Sequence, residues 1–300
     1  MVDYFLSIWE KYSLPFAICE LGGGDGTFAL QFGNIMRKRG KNNIQYIFVE
    51  QNEWGRQNVL KNLPRTWDVQ VFTTIDDFIN SHSHFNGIIF SNEFLDAQPV
   101  RVIEKSSDEI YEIYITMDKQ LKLTETKRPC SEDLLYLIAD FDLEITNGQR
   151  IEVPIYINPI MSKISRLLRE GFVITVDYGY LKQDWEVPSR REGSLRGYYK
   201  HQLNKNVLNH VGEMDITHHV HWEPWIAEGN KHGLTCRGLV RQNEFLLHHC
   251  NILQYLKSNN STDAFSGEAK RNRAIRSLIL DDGLSQLFDV CIQQKKSSSG

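Results

Sequence analysis

Glu20-Leu21-Gly22-Gly23-Gly24-Asp25-Gly26 sets an acid ahead of alternating glycines, a spacing that lets the backbone come close to a ligand. Gly22, Gly24 and Gly26 would form the turn, with a helix N-terminus behind them. A nicotinamide fingerprint needs G-x-G-x-x-G, and counted from Gly22 its third glycine is replaced by Thr27. No Gly-Lys-Ser/Thr follows to cradle phosphates. The loop opens on Glu20 and holds no basic residue, so this acidic mouth suits the sulfonium and ammonium of S-adenosylmethionine better than a pyrophosphate. Glu50 strengthens that expectation, because it closes the second apolar run, where a carboxylate can accept both ribose hydroxyls of an adenosine ligand. Its alternative is a solvated strand end. Asp76 and Asp77 either meet the adenine edge or act as helix N-terminal carboxylates.

A second acidic group, Asn92-Glu93-Phe94-Leu95-Asp96, begins where the fourth apolar run ends. In an open α/β sheet the ligand lies outside those strand ends, so Asn92, Glu93 and Asp96 are expected in the crevice of Glu20 and Gly22. Glu93 and Asp96 are three apart, and a helical turn would put them on one side. Two carboxylates beside a cationic methyl donor fit a guanidinium acceptor, whose five donors form a fixed fork. The rate gain would come from in-line positioning. The competing reading makes both acids helix caps paired with Arg101. Asp177 ends the fifth apolar run and faces the same crevice, followed by Tyr178. His218, His219 and His221 invite a metal but lack the i, i+4 spacing and a nearby cysteine, so no metal is expected there. Asp215 or Thr217 then reads as a helix cap.

The elements that must position these residues alternate through the first third of the chain. Strands are expected at 16–21, 44–50, 68–73 and 86–91, with helices at 27–39 and 54–62 between them. That rhythm predicts a parallel α/β sheet. It breaks at 100–126, where three polar-flanked runs read as an antiparallel ribbon too small to hold its own core. Helices at 131–141 and 157–170 and a buried strand at 171–177 follow. Residues 180–212 read as a long polar loop, and a strand at 234–240, helices near 245–256 and 267–280 and a strand near 287–292 close the chain. The expectation is one domain over 1–292, with insertions about 98–127 and 180–225 and a disordered tail at 293–300.

Composition bounds the function. Thirty-four basic against 38 acidic residues give a net charge of −4, which argues against a general nucleic-acid binder. No apolar run approaches the ~18 residues of a membrane helix, and Met1–Phe5 has no secretory character. Five scattered cysteines without a C-x-x-C pair predict reduced thiols and a cytoplasmic protein.

Taken together the motifs resemble the MidA-like family of S-adenosylmethionine-dependent methyltransferases, which includes a mitochondrial complex I assembly factor. The pieces are Glu20 to Gly26, Asn92 to Val100, Asp177-Tyr178-Gly179, Ser194 to Tyr198 with His201, and Asp215 to Val220, in family order over about 17–292. The resemblance implies a class I methyltransferase fold, an open, mostly parallel seven-stranded sheet, and methylation of protein arginine. Under it, Glu93, Asp96 and Asp177 are catalytic candidates and Glu20, Gly22, Gly24, Gly26, Glu50, Asp76 and Asn92 hold the cofactor. Tyr178, Arg196, His201, Asp215 and His219 are assigned to a protein substrate. Two features depart from the family. A longer lead-in with Gly-Asp-Phe and Thr-Ser-Pro-Glu segments is usual, whereas about fifteen residues precede the first strand here, as in a shortened member or a fragment. A fragment would admit the mitochondrial matrix as its location, and a homodimer is one option for its state. Gly23 and Asp25 stand where the family commonly has Pro or Ala and Arg, at positions that need no side chain for ligand approach. The alternatives are an assembly module that keeps the cofactor fold with little turnover and, disfavoured by Thr27, a nicotinamide oxidoreductase.

Overall fold

The structure is a computed structural model and describes residues 1–200, 202–256, 266–280 and 286–297. The chain divides into two units, one of residues 1–93, 163–177 and 229–300, the other of residues 94–162 and 178–228.

The first unit is built on the expected seven-stranded sheet. Its spatial order is Leu234–Arg241, Asp289–Lys295, Leu168–Asp177, Phe85–Asn92, Ala17–Leu21, Gln45–Val49 and Asp68–Phe72. All pairs are parallel except those of Asp289–Lys295, which runs antiparallel to both neighbours. Ala17–Leu21 lies between Gln45–Val49 and Phe85–Asn92, so the strand order reverses at its carboxyl end, the place where such sheets bind ligands. Every residue of Ala17–Leu21 is buried, as a parallel strand covered on both faces requires. Helices Thr27–Lys38, Glu53–Asn62 and Ile75–Ser81 connect the strands on this side. Asn52 caps the second of them by accepting from the Trp54 N–H at 2.9 Å.

The residues before the first strand form a helix, Val2–Lys11, that the sequence reading does not anticipate. Phe5, Ile8 and Trp9 point inward, with Phe5 edge-on to Phe90 at 5.4 Å and Trp9 edge-on to Phe16 at 5.3 Å. Three further boundaries differ. The helix expected over 245–256 ends at His248 and is followed by a 3-10 turn at Ile252–Tyr255. Helix Trp222–Lys231 was not anticipated. The last strand continues to Lys295 with Gln293 fully buried, so the chain is ordered past 292, where the tail was expected to begin.

In the second unit the antiparallel ribbon recruits partners from distant sequence. Leu123–Pro129, Glu109–Met117, Arg101–Ser106 and Arg150–Val153 form a four-stranded sheet in that order. Ile103, Ile151 and Val153 from this sheet pack with Leu134 and Ile138 of helix Glu132–Asp140 and with Trp185. The ribbon alone is too small for a core, and nonlocal pieces complete one. Residues 180–212 are not one long loop either. They carry helix Lys182–Trp185 and strand Arg196–Tyr199, which pairs with Gln202–Asn204 and Asp215–Thr217. Asp215 and Thr217 thus belong to a strand, which overturns the helix-cap reading. Gly179–Tyr180 pairs in parallel with Val220–His221.

Candidate functional site

At the reversal point of the first sheet, Gly22, Gly24 and Gly26 all adopt the left-handed backbone, with φ of +67°, +56° and +78°. The loop is tied at both ends, by the Gly22 N–H to the Val49 carbonyl at 2.9 Å and the Gly26 N–H to the Gly23 carbonyl at 3.0 Å. Glu50 follows its strand directly, and its carboxylate accepts from the Gly24 N–H at 2.8 Å and the Asn52 N–H at 2.7 Å. A carboxylate has about four acceptor sites, so two remain for hydroxyl groups of a ligand. The arrangement fits an adenosine: an exposed loop backbone beside an anchored carboxylate with acceptor capacity left over.

Gly55, Gly23 and Asp25 shape this loop in ways the sequence reading does not anticipate. A Cβ on Gly55 would lie 2.0 Å from the Gly24 carbonyl oxygen, so only glycine lets helix Glu53–Asn62 approach the loop. A glycine near the start of a helix, costly to its stability, was the available signal. Gly23 is equally constrained, because its Cβ would meet the Phe48 ring at 2.1 Å. Asp25 does use its side chain, accepting from the Thr27 N–H at 2.8 Å to open helix Thr27–Lys38, and that bond holds its carboxyl below the usual range.

Glu20 is buried behind the loop rather than lining its mouth. It accepts from the Tyr46 hydroxyl at 2.5 Å. Burial pushes its carboxyl up to about 8 against the Tyr46 hydrogen bond, with the charges of Glu50 and Asp25 adding to the rise. Asp76 sits in the first turn of helix Ile75–Ser81 and forms an ion pair with Lys163 at 2.6 Å. Asp77 completes a capping box with Thr74.

Asn92 and Glu93 stand exposed at the end of strand Phe85–Asn92, with Asn92 Nδ2 donating to Glu93 Oε1 at 3.2 Å. Glu93 has φ +50° and its N–H donates to the Val176 carbonyl at 2.9 Å, so a glutamate occupies a backbone conformation that side chains disfavour. Asp177, at the end of the neighbouring strand, is fully buried. The expected helical turn across Glu93 and Asp96 does not form, because the left-handed residue turns the chain away, and the two carboxylates do not share a helix face. The cap-and-pair alternative fails as well: Arg101 binds Glu112 at 2.5 Å and Asp133 at 2.7 Å.

In the second unit Asp96 is buried and accepts from the Tyr178 hydroxyl, while its carbonyl accepts from the His218 N–H at 3.0 Å. Tyr178, Arg196 and His219 come together: the Arg196 guanidinium lies 5.0 Å from the Tyr178 ring centre, and the His219 ring meets that ring edge-on at 5.2 Å. Asp215 is exposed on the strand opposite Tyr198. His201 lies outside the described residues. Burial pushes the His218 imidazole down to about 4 and the His221 imidazole to about 3. Among the described residues no cluster of His, Cys, Asp or Glu could hold a metal ion, and no helix is long and apolar enough to cross a membrane.

Residues 1–240 match the family described as "Putative S-adenosyl-L-methionine-dependent methyltransferase". Over 207 residues the sequence is 28% identical to a Caenorhabditis elegans protein named Protein arginine methyltransferase NDUFAF7 homolog, mitochondrial. That match covers 67% of this chain and 45% of the relative, so the chain spans less than half of that protein. Among solved structures, a Burkholderia thailandensis protein bound to S-adenosyl-homocysteine is similar with a TM-score of 0.84 at 20% identity, over 100% of this chain and 76% of that one. A native structure from the same organism gives a TM-score of 0.84 at 19% identity, over 100% and 79%. At such identities the likeness concerns the fold.

Proposed function

The chain belongs to the S-adenosyl-L-methionine-dependent methyltransferase family whose pattern spans residues 1–240, and from that premise we propose that it methylates an arginine side chain of a protein. The observation that carries this reading is Glu93, an exposed acid held in a left-handed backbone at a strand end next to the reversal point of the sheet. The name of the Caenorhabditis elegans relative supports an arginine acceptor.

When bound, S-adenosylmethionine supplies a methyl carbon that leaves its sulfur as an attacking nitrogen bonds to it. Gly22, Gly24 and Gly26 would hold the ligand against their backbone, and Glu50 would offer its two remaining acceptor sites to the ribose hydroxyls. Asn92 presents its amide beside them, and Asp76 stays a candidate for the adenine edge through its exposed position. Glu20 acts from behind, fixing Tyr46 under the loop. Glu93 takes the guanidinium fork with charge-assisted hydrogen bonds, orienting one nitrogen toward the methyl carbon. The proton that the methylated guanidinium sheds passes to the exposed Glu93 carboxylate and on to water. Asp177 lies buried at the adjoining strand end, and Asp96 positions Tyr178. Tyr178, Arg196, Asp215 and His219 serve the protein substrate.

The test uses a tritiated methyl donor and lysate of the source organism, with amino-acid analysis of the label. Label on arginine, abolished in E93Q while S-adenosylhomocysteine affinity is kept, is the expected result. Label on lysine or on small molecules, or a cofactor-bound but inert wild type, overturns the arginine reading.

A further inference from the structure

The second unit contains a groove of about 1020 Å³ whose wall carries Tyr178's neighbours Tyr180, Arg190, Arg196 and His219. Two short ladders build that wall. Gly179–Tyr180 pairs with Val220–His221, and Arg196 pairs opposite Thr217, so the residues flanking His219 fix it between two strands. Gly197 leaves room for the Met214 side chain, whose Sδ a Cβ there would meet at 2.3 Å. The rings then stack in sequence. The Arg190 guanidinium lies 3.9 Å from the Tyr180 ring centre, and Tyr180 and His219 stack at 4.1 Å with 11° between their planes.

Most charges along the groove are already neutralised. Arg101 is held by Glu112 and Asp133, Arg150 by Glu104 and Glu125, and Arg190 by Asp184 at 3.3 Å. The buried Glu152 carboxylate is occupied by the Ser194 hydroxyl at 2.7 Å and the Ser194 and Leu195 N–H groups. Arg196 differs. Among the described residues it makes no ion pair, and its Nε is buried with no hydrogen-bond partner. His219, 8% exposed, likewise has an Nδ1 with no partner among them. Both nitrogens belong to residues lining the same groove, which Lys205 and Glu192 line as well. Burial, with the charges of Arg196 and Arg190 adding to it, pushes the His219 imidazole down to about 3, so the ring is neutral. In the tautomer that carries its proton on Nδ1, the neutral His219 imidazole donates one N–H alongside Arg196.

We propose that this groove binds a carboxylate of an acidic peptide segment, with Arg196 and His219 as its donors, and so selects protein substrates that carry acidic side chains. This rests on the reading above only in taking the ligand to be the substrate; peptide binding itself can be measured without methylation. A nucleic acid is the poorer occupant, since Arg101, Arg150 and Arg190 are already paired with acids and few cations of the groove are left to neutralise a run of phosphates.

Fluorescence anisotropy with the full chain tests it, using fluorescein-labelled hexaglutamate, hexalysine and a single-stranded oligonucleotide. Hexaglutamate is expected to bind in preference to the other two, with R196Q weakening it about tenfold and H219F or K205Q several-fold, the range for losing a hydrogen bond to a charged group. Circular dichroism checks folding of each variant, and the exposed Lys205 keeps the test intact if R196Q does not fold. Hexalysine or the oligonucleotide binding as tightly as hexaglutamate overturns the proposal, as does wild-type affinity in the folded variants. Loss of S-adenosylhomocysteine binding in the wild type would refute the methyltransferase reading alone, because the peptide comparison does not depend on it.

Discussion

Gly55→Ala is the sharpest probe of the glycine loop. The new Cβ would sit 2.0 Å from the Gly24 carbonyl oxygen, where ordinary contact begins at 3.4 Å, so the backbone must give by 3.4 − 2.0 = 1.4 Å. The neighbouring atom is backbone rather than a flexible side-chain end, so the loop itself has to move. Such a shift breaks the 2.8 Å bond from the Gly24 N–H to Glu50, a hydrogen bond to a charged group and therefore about 1.5–3 kcal/mol. In an unconstrained helix the same substitution would stabilise by about 1 kcal/mol, because alanine is the better helix former. The sign is thus diagnostic. G55A should lower the unfolding temperature and weaken S-adenosylhomocysteine by at least about tenfold in calorimetry. A variant with higher thermal stability and unchanged affinity would refute the claim that this helix start sets the loop.

Three further substitutions have definite outcomes. Glu50→Ala should weaken S-adenosylhomocysteine by about 1–3 kcal/mol, and unchanged affinity would remove Glu50 from the site. Glu20 has a carboxyl raised to about 8 by burial, so its contribution to stability is full below its ordinary range near 4.5 and is lost as pH rises toward 8. Denaturant titrations should therefore show wild type losing stability relative to E20Q between those pH values, and parallel curves would contradict that. Phe5→Ala empties a fully buried ring position and should cost about 3–5 kcal/mol in urea unfolding, whereas a loss under about 1 kcal/mol would mean that helix Val2–Lys11 does not close the core.

The strands of the main sheet were legible because parallel strands covered on both faces read as short, mostly apolar runs, as Ala17–Leu21 and Phe172–Val176 do. The turn glycines followed from motif spacing. Glu20 was legible as an acid before glycines, but its burial under Tyr46 depends on a residue of the next strand, which no local pattern reveals. The left-handed Glu93 was hidden for a related reason: glutamate carries no local preference for that backbone, and the bond to Val176 that supports it comes from 83 residues further along. The second unit was least legible, since its core joins Ile103 to Val153 and Trp185, and its short strands lie within polar sequence. Helix Val2–Lys11 was legible in principle. Val2, Phe5, Leu6, Ile8 and Trp9 lie on one helical face, a pattern passed over when the segment was read only for targeting.

Calorimetric titration of the purified chain with S-adenosylhomocysteine and, in parallel, with NAD tests the central claim most directly. Saturable binding of one S-adenosylhomocysteine per chain, with no heat from NAD, is the predicted result. Binding of NAD without S-adenosylhomocysteine would contradict it, because the Gly22–Gly26 loop and Glu50 would then serve a different cofactor.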